Sequence, residues 1–394
     1  MRRSELSQRL SELERAGLMR RRRRVDGPQG PQLRVDGATC LAFCSNDYLG
    51  LANHPALADA VRRALDQFGV GAAASAHICG HTRVHEELEE RLARFVGLPR
   101  ALHFSTGYMA NLGVLPSLAG PGDIIFSDRL NHASLIDAAR LSRAEVAVYP
   151  HADTAALERL MQQSGTRSKL IVTDAVFSMD GDLAPLPALL ALCERHDAWL
   201  VVDDAHGFGV LGDNGSGSLS HWGLSSDRIV YIGTLGKAAG VFGAFVAADA
   251  DTVEWILQRA RTYMFTTATP PLLAAALLAA LDVIGSESWR RRHLAALIGR
   301  VAAGLSQLPW HPLPSSTAIQ PLIIGDNAEA IALMQSLRRD GIWVPAIRPP
   351  TVAPGTARLR ISLSAAHREE DIDRLLNALA ALAPRTGTAG SSAI

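Results

Sequence analysis

The sequence predicts an α/β protein, with a large domain built on a mostly parallel sheet flanked by helices and a smaller α+β domain. Three observations carry this. The chain has 394 residues, 48% of them hydrophobic, which suits a sizeable core divided between two domains better than one. Between residues 100 and 250, short apolar runs recur at 101–104, 123–126, 146–149, 170–173, 200–202, 229–232 and 244–247. Most are separated by lengths that fit a crossover helix, and strands buried on both faces read as such continuous runs. After about residue 285 the pattern becomes a mixture of helices (289–308, 327–339, 368–383) and strands (318–324, 358–363).

Residues 1–47 read as an N-terminal helix and arm. Positions 4–19 alternate polar and apolar at helical spacing, and 20–24 are five arginines that read first as a solvated surface run. Val35-Asp36-Gly37 marks a strand turn before Cys40. The large domain spans 48–285. Helices are expected at 55–68 and 85–96, with a Gly/Ala segment between them at 69–80, and the crossover helices include 155–162 and 186–196. The apolar stretch 272–284 follows Pro270-Pro271 and contains Asp282, so it reads as a buried helix too short to cross a bilayer. The small domain spans 286–383. The tail 384–394, PRTGTAGSSAI, is small and polar and is expected to be disordered. No internal repeat is visible.

Lys+Arg and Asp+Glu are both 39, a zero balance that argues against a general nucleic-acid binder. The N-terminal segment lacks the apolar core of a signal peptide. The four cysteines, Cys40, Cys44, Cys79 and Cys193, complete no metal-ligand pattern and read as reduced thiols of a cytoplasmic protein.

The unusual polar residues fall where the strands end, which is where open α/β sheets bind ligands. Leu200-Val-Val-Asp203-Asp-Ala-His206-Gly closes an apolar strand with a carboxylate and an imidazole. Taken alone, Asp203 reads as a helix cap, with a Mg2+ ligand as the other reading. Tyr231-Ile-Gly-Thr234-Leu-Gly236-Lys237-Ala puts a lysine in a Gly-rich turn after a buried strand. Burial there lowers an amine's pKa and makes it a nucleophile. A P-loop lysine is the competing reading, but the GxxxxGK[ST] spacing is absent. Phe104-Ser105-Thr-Gly107-Tyr108-Met-Ala-Asn111 is a strand end, a small-residue turn and a helix start, the local chemistry of an anion site. Asp128-Arg-Leu-Asn131-His132 would by itself be a loop or cap. Asp174-Ala-Val-Phe-Ser178-Met-Asp180-Gly-Asp182 offers Ser178, while Asp180 and Asp182 read as turn residues and not as metal ligands.

The order of these motifs is more specific than any one of them. SNDYLGLANHP, NHASLIDAAR, DAVFSMDGD, VVDDAHGFGVLG, GTLGKA and RLRISLSAAH, taken in sequence, resemble the α-oxoamine synthase family of pyridoxal-phosphate (PLP) enzymes over nearly the whole chain. The resemblance implies a PLP-dependent transferase of fold type I. It implies that Lys237 holds PLP as a Schiff base, that Asp203 pairs with the pyridine nitrogen and that His132 stacks on the ring. Gly107, Tyr108, Ser178, His206 and Thr234 match the remaining cofactor contacts. Arg20, His132, Arg348 and Thr351 match substrate contacts. The stretch from Ala346 through Arg348-Pro-Pro-Thr351 to Arg360, together with Gly107-Tyr108, resembles the members that condense L-alanine with a pimeloyl thioester, lose CO2 and release the thiol carrier on the way to biotin. The alternative is a member that uses glycine and a different acyl thioester. The thioester carrier is coenzyme A or acyl carrier protein, and residues 20–24 would suit an acidic carrier. A homodimer is expected, with Thr266 and Thr267 reaching the neighbour's phosphate. Two stretches depart from the family: Val70-Gly-Ala-Ala-Ala-Ser75-Ala is poorer in glycine, and Asp174 stands where Glu is common. A non-catalytic scaffold and a nucleotide-binding enzyme are the readings from other classes, and a visible PLP band separates them from the first.

Overall fold

A computed structural model describes residues 2–165 and 168–383. The tail expected to be disordered, 384–394, lies outside the described residues. The chain divides into two compact units: a larger one of Asn46–Ser178 and Asp182–His293, and a smaller one of Met1–Ser45, Met179–Gly181 and Leu294–Ile394.

The larger unit is built on seven strands: β1 (Arg100–Phe104), β2 (Ile124–Asp128), β3 (Glu145–Tyr149), β4 (Lys169–Asp174), β5 (Ala198–Asp203), β6 (Ile229–Thr234) and β7 (Ala244–Ala248). Each begins and ends within two residues of its apolar run. The spatial order is β1-β7-β6-β5-β4-β2-β3. Strands β2 to β6 pair in parallel, and only β7 runs against its neighbours β1 and β6. Parallel neighbours cannot be joined by a tight turn, which is why helices Thr154–Gln163 and Leu186–His196 separate them. Leu102, Val114, Ile125, Val172, Val201, Val230 and Val246 are all at most 1% exposed and form one core between sheet and helices. Burying such side chains stabilises the fold by about 1.5–3 kcal/mol each.

Because these strands share a direction, their carboxyl ends share one edge. Phe104, Asp128, Asp174, Asp203 and Thr234 lie there. Helix Gly107–Leu118 starts at the same edge, with the Thr106 hydroxyl accepting from the Met109 N–H at 3.1 Å. The apolar helix Pro271–Ser286 packs against Pro55–Phe68 and Arg83–Val96, with Ala274, Leu277 and Ala280 fully buried. Among the described residues, no single helix is long and apolar enough to cross a membrane. The Gly/Ala segment contains one wide turn, Ala76–Gly80. A Cβ at Gly80 would lie 2.3 Å from the Ala74 carbonyl oxygen, which itself accepts from the Ala268 N–H at 2.9 Å. Only glycine fits there.

In the smaller unit, Gln32–Val35 and Ala38–Ala42 form the hairpin expected around Val35-Asp36-Gly37. Asp36 (φ 51°) and Gly37 (φ 87°) supply the two positive φ angles that a tight hairpin turn needs. Ile342–Trp343 adds to Ala38–Ala42 in parallel. A second sheet has Ile319–Gly325 and Ala357–Ser362 at its centre, flanked by His311–Pro312 and Ala346–Ile347. Asp180, expected as a turn residue, also pairs with the buried guanidinium of Arg358.

Candidate active site

The carboxyl edge of the large sheet gathers Lys237, His206, Asp203 and His132. Lys237 follows β6 and is partly buried. Its Nζ lies 2.9 Å from His206 Nε2, and His206 Nδ1 lies 2.6 Å from the Tyr48 hydroxyl. Asp203 ends β5. Its Oδ1 accepts from the Ala205 N–H at 3.0 Å and its Oδ2 from Asn111 Nδ2 at 2.7 Å. Asn111, fully buried, also donates to the Ser134 hydroxyl at 2.8 Å. That hydroxyl is 2.6 Å from His132 Nδ1. A chain of hydrogen bonds therefore joins Asp203 to His132 through two residues to which the sequence reading gave no role.

His132 is also the cap of helix Ala133–Ser142. Its Nδ1 accepts from the Ser134 N–H at 3.2 Å, so the neutral ring carries its hydrogen on Nε2. The surrounding atoms disfavour the charged ring and lower its pKa. The negative charge of Asp203 opposes this and the positive charge of Lys237 adds to it. The His132 N–H donates to Asp174 Oδ2 at 2.6 Å. Asp174 and Asp203 are register partners at the ends of β4 and β5. Burial first, and then the charge of Asp203, push the Asp174 pKa well above the carboxylate range. Two carboxylates that share a site oppose each other's ionisation, so burial and the neighbouring Asp203 both disfavour the charged form of Asp174.

Gly107 opens its helix directly against Thr234: a Cβ built on it would lie 3.7 Å from the Thr234 hydroxyl oxygen. The first N–H groups of a helix have no partner within it, and the dipole favours an anion there. Tyr108 is exposed, and its ring stands edge-on to His132 at 6.5 Å. Its hydroxyl donates to Asp137. Ser178 is half-buried in the loop after β4.

Arg20, Arg348 and Thr351 belong to the smaller unit, where they come together. Arg20 donates to the Thr351 hydroxyl at 3.1 Å, and Arg348 donates to the Gly17 carbonyl. With Leu18, Ala346 and Pro349 they line a small cavity. Arg348 Nε is buried without a hydrogen-bond partner. Burial, and then the like charge of Arg20, lower the Arg348 pKa. Two cations held together with an unsatisfied N–H suit a carboxylate ligand.

Asn111, Ser134 and Tyr48 are the site residues that the sequence reading left without roles. Asn111 and Tyr48 stand inside motifs that it quoted, but their partners lie 92 and 158 positions away.

Comparison with known proteins identifies the family and the fold. The family model for aminotransferase class I and II matches residues 38–379. The chain is 60% identical over 387 residues to an 8-amino-7-oxononanoate synthase of Polaromonas sp., covering 96% of each chain. A solved serine palmitoyltransferase from S. paucimobilis with bound PLP–myriocin aldimine superposes with a TM-score of 0.91 at 29% identity, covering 96% of each chain. A crystal structure of 8-amino-7-oxononanoate synthase from Francisella tularensis gives a TM-score of 0.76 at 31% identity, over 87% of this chain and 97% of that one. The chain belongs to the class I and II aminotransferase family and, within it, to the family of 8-amino-7-oxononanoate synthases.

Proposed function

We propose that the chain condenses L-alanine with a pimeloyl thioester, releasing CO2 and the free thiol carrier, to give 8-amino-7-oxononanoate for biotin synthesis. The observation that carries this is the meeting of Lys237, His206, Asp203 and His132 at one sheet edge in a member of this family. The donor set fits PLP: an amine for its aldehyde, a helix start beside a threonine hydroxyl for its phosphate, and a carboxylate fixed by an amide for its ring nitrogen. When bound, PLP supplies an electron sink for the charge left at the substrate's Cα.

Each residue then has a task. Lys237 Nζ would hold the cofactor's aldehyde and would serve as general base for the substrate's Cα proton. His206 Nε2 faces that amine and orients it. Asp203 holds the proton on the ring nitrogen, with Asn111 fixing its carboxylate. His132, neutral and capped onto its helix, offers the flat face of its imidazole. Gly107 and Tyr108 N–H groups and the Thr234 hydroxyl hold the phosphate, and Ser178 hydrogen-bonds the cofactor. Arg348 grips a substrate carboxylate, with Arg20 and Thr351 as further substrate contacts. The carrier is coenzyme A or acyl carrier protein, and the arginines of 20–24 suit an acidic carrier. The protein works in the cytoplasm as a homodimer. Val70, Ile78 and Phe265, at 70%, 78% and 68% exposure, give a second copy apolar surface to cover, and Thr266 and Thr267 reach the neighbour's phosphate.

Only two lysines occur in the chain, Lys169 and Lys237. Lys169 opens β4, at the opposite edge of the sheet. Borohydride reduction of PLP-loaded protein followed by peptide mapping should label Lys237, and Lys237→Ala should lose both the visible band and the activity. A label on Lys169 refutes the assignment.

A further inference from the structure

Residues 262–270 of the larger unit form a strap tied down at both ends. Upstream, the Thr262 hydroxyl donates to the Met109 carbonyl at 2.6 Å, in the first turn of the helix that opens at Gly107. Downstream, the Ala268 N–H donates to the Ala74 carbonyl at 2.9 Å, and the Thr269 carbonyl lies 2.9 Å from His85 Nε2. Thr266 and Thr267 stand between these ties. His85 is 3% exposed and lies in the first turn of helix Arg83–Val96, where its Nδ1 accepts from the Thr82 N–H at 3.1 Å. A glutamate or glutamine usually makes that capping bond. A histidine makes it and keeps a second nitrogen for a partner elsewhere. The backbone sets the direction of both bonds. An amide N–H only donates, so Nδ1 is bare, and a carbonyl only accepts, so Nε2 carries the hydrogen. Burial lowers the His85 pKa and the charge of His81 adds to this, while the Thr269 carbonyl and Glu89 oppose it. The Thr269 hydroxyl lies 3.3 Å from Nδ1 of a second buried imidazole, His103, whose pKa burial pushes down to about 3. Thr269 is thus held beside two neutral rings.

We propose that His85 is a positioning residue for the cofactor phosphate: its Nε2–H holds the Thr269 carbonyl and so fixes the strap that carries Thr266 and Thr267. The proposal rests on the proposed function, in which these two threonines reach the neighbour's phosphate. One ring then has two separable tasks. Nδ1 caps a helix start and acts on stability. Nε2 orders the strap and acts on cofactor affinity, because a strap already ordered loses less entropy when it meets an anion. Substitution can separate the two nitrogens. An asparagine oxygen reaches the place of Nδ1, and a glutamine nitrogen reaches the place of Nε2. His85→Asn therefore keeps the cap and frees the strap, and His85→Gln frees the cap and keeps the strap.

Titrating PLP into the cofactor-stripped, full-length protein and following the visible band tests this. The PLP Kd should rise about tenfold in His85→Asn, the effect of one lost hydrogen bond, and stay within about threefold of the wild type in His85→Gln. The melting temperatures should rank the other way, with His85→Gln the lower. Two variants with equal Kd values, or with the same ranking in both measurements, would leave His85 a structural residue and overturn the proposal. Histidine-selective 15N NMR on the wild type, assigned with His85→Gln, should find the hydrogen on Nε2. A hydrogen on Nδ1 overturns the proposal even if neither variant folds. The double variant Thr266→Val, Thr267→Val removes both hydroxyls. If it binds PLP as the wild type does, the reading of the phosphate contact has failed, and exchange of the Ala268 amide still decides what His85 holds. That amide should exchange about tenfold faster in His85→Asn than in the wild type or His85→Gln. Equal exchange in all three overturns the hold of His85 on the strap.

Discussion

Replacing His151 by Gln removes a positive charge held between two carboxylates. His151 Nδ1 lies 3.0 Å from Asp128 Oδ1 and Nε2 lies 2.8 Å from Asp182 Oδ2. The ring sits edge-on to Phe177 at 4.3 Å. Burial opposes the charged ring, but the hydrogen bonds and charges of Asp128 and Asp182 overcome it and raise the pKa from 6.5 to about 10. A folded-state pKa above the unfolded one stabilises the fold fully below pH 6.5, and that stability is lost as pH rises through about 10. The gap of about 3.5 pH units corresponds to about 5 kcal/mol at most. His151 is 21% exposed, so solvent screening reduces the expected contribution to about 2–3 kcal/mol. Urea unfolding of both proteins at pH 6, 8 and 10 measures it. The wild type should lose about 2 kcal/mol more than His151→Gln between neutral pH and pH 10. Parallel stability curves for the two proteins would refute the reasoning.

Two further substitutions test the site. Asp203→Asn should keep the fold, because the amide oxygen still accepts from Asn111, but activity should fall on the order of 10²–10³-fold as the charge is lost; near-normal turnover would show that another group protonates the cofactor ring. In Arg348→Ala the alanine KM should rise about tenfold or more while the thioester KM stays within about twofold. An unchanged alanine KM with a lower melting temperature would reduce Arg348 to a brace on the Gly17 carbonyl.

Much of this was legible in the sequence, for physical reasons. The seven strands of the large sheet are buried on both faces, so their apolar runs stand out and their ends are marked by Asp128, Asp174, Asp203 and Thr234. Lys237 was visible because a lysine after a buried strand has no packing reason to be there. Two-residue strands such as Ile342–Trp343 carry no periodicity and were missed. Asn111 looked like one more polar residue in a helix until the fold brought Asp203 to it. His151 drew no reading from the sequence, since its carboxylates lie 23 and 31 positions away. Roles made by the closure of long loops leave no local signal.

The most direct test is a product assay on purified, PLP-loaded protein given pimeloyl thioester with alanine and glycine in competition. Mass spectrometry should find 8-amino-7-oxononanoate and one CO2 per turnover. Alanine should be favoured by about 10–200-fold, the worth of one methyl group in a fitted pocket. A preference for glycine, or PLP-loaded protein that condenses neither amino acid, would contradict the account.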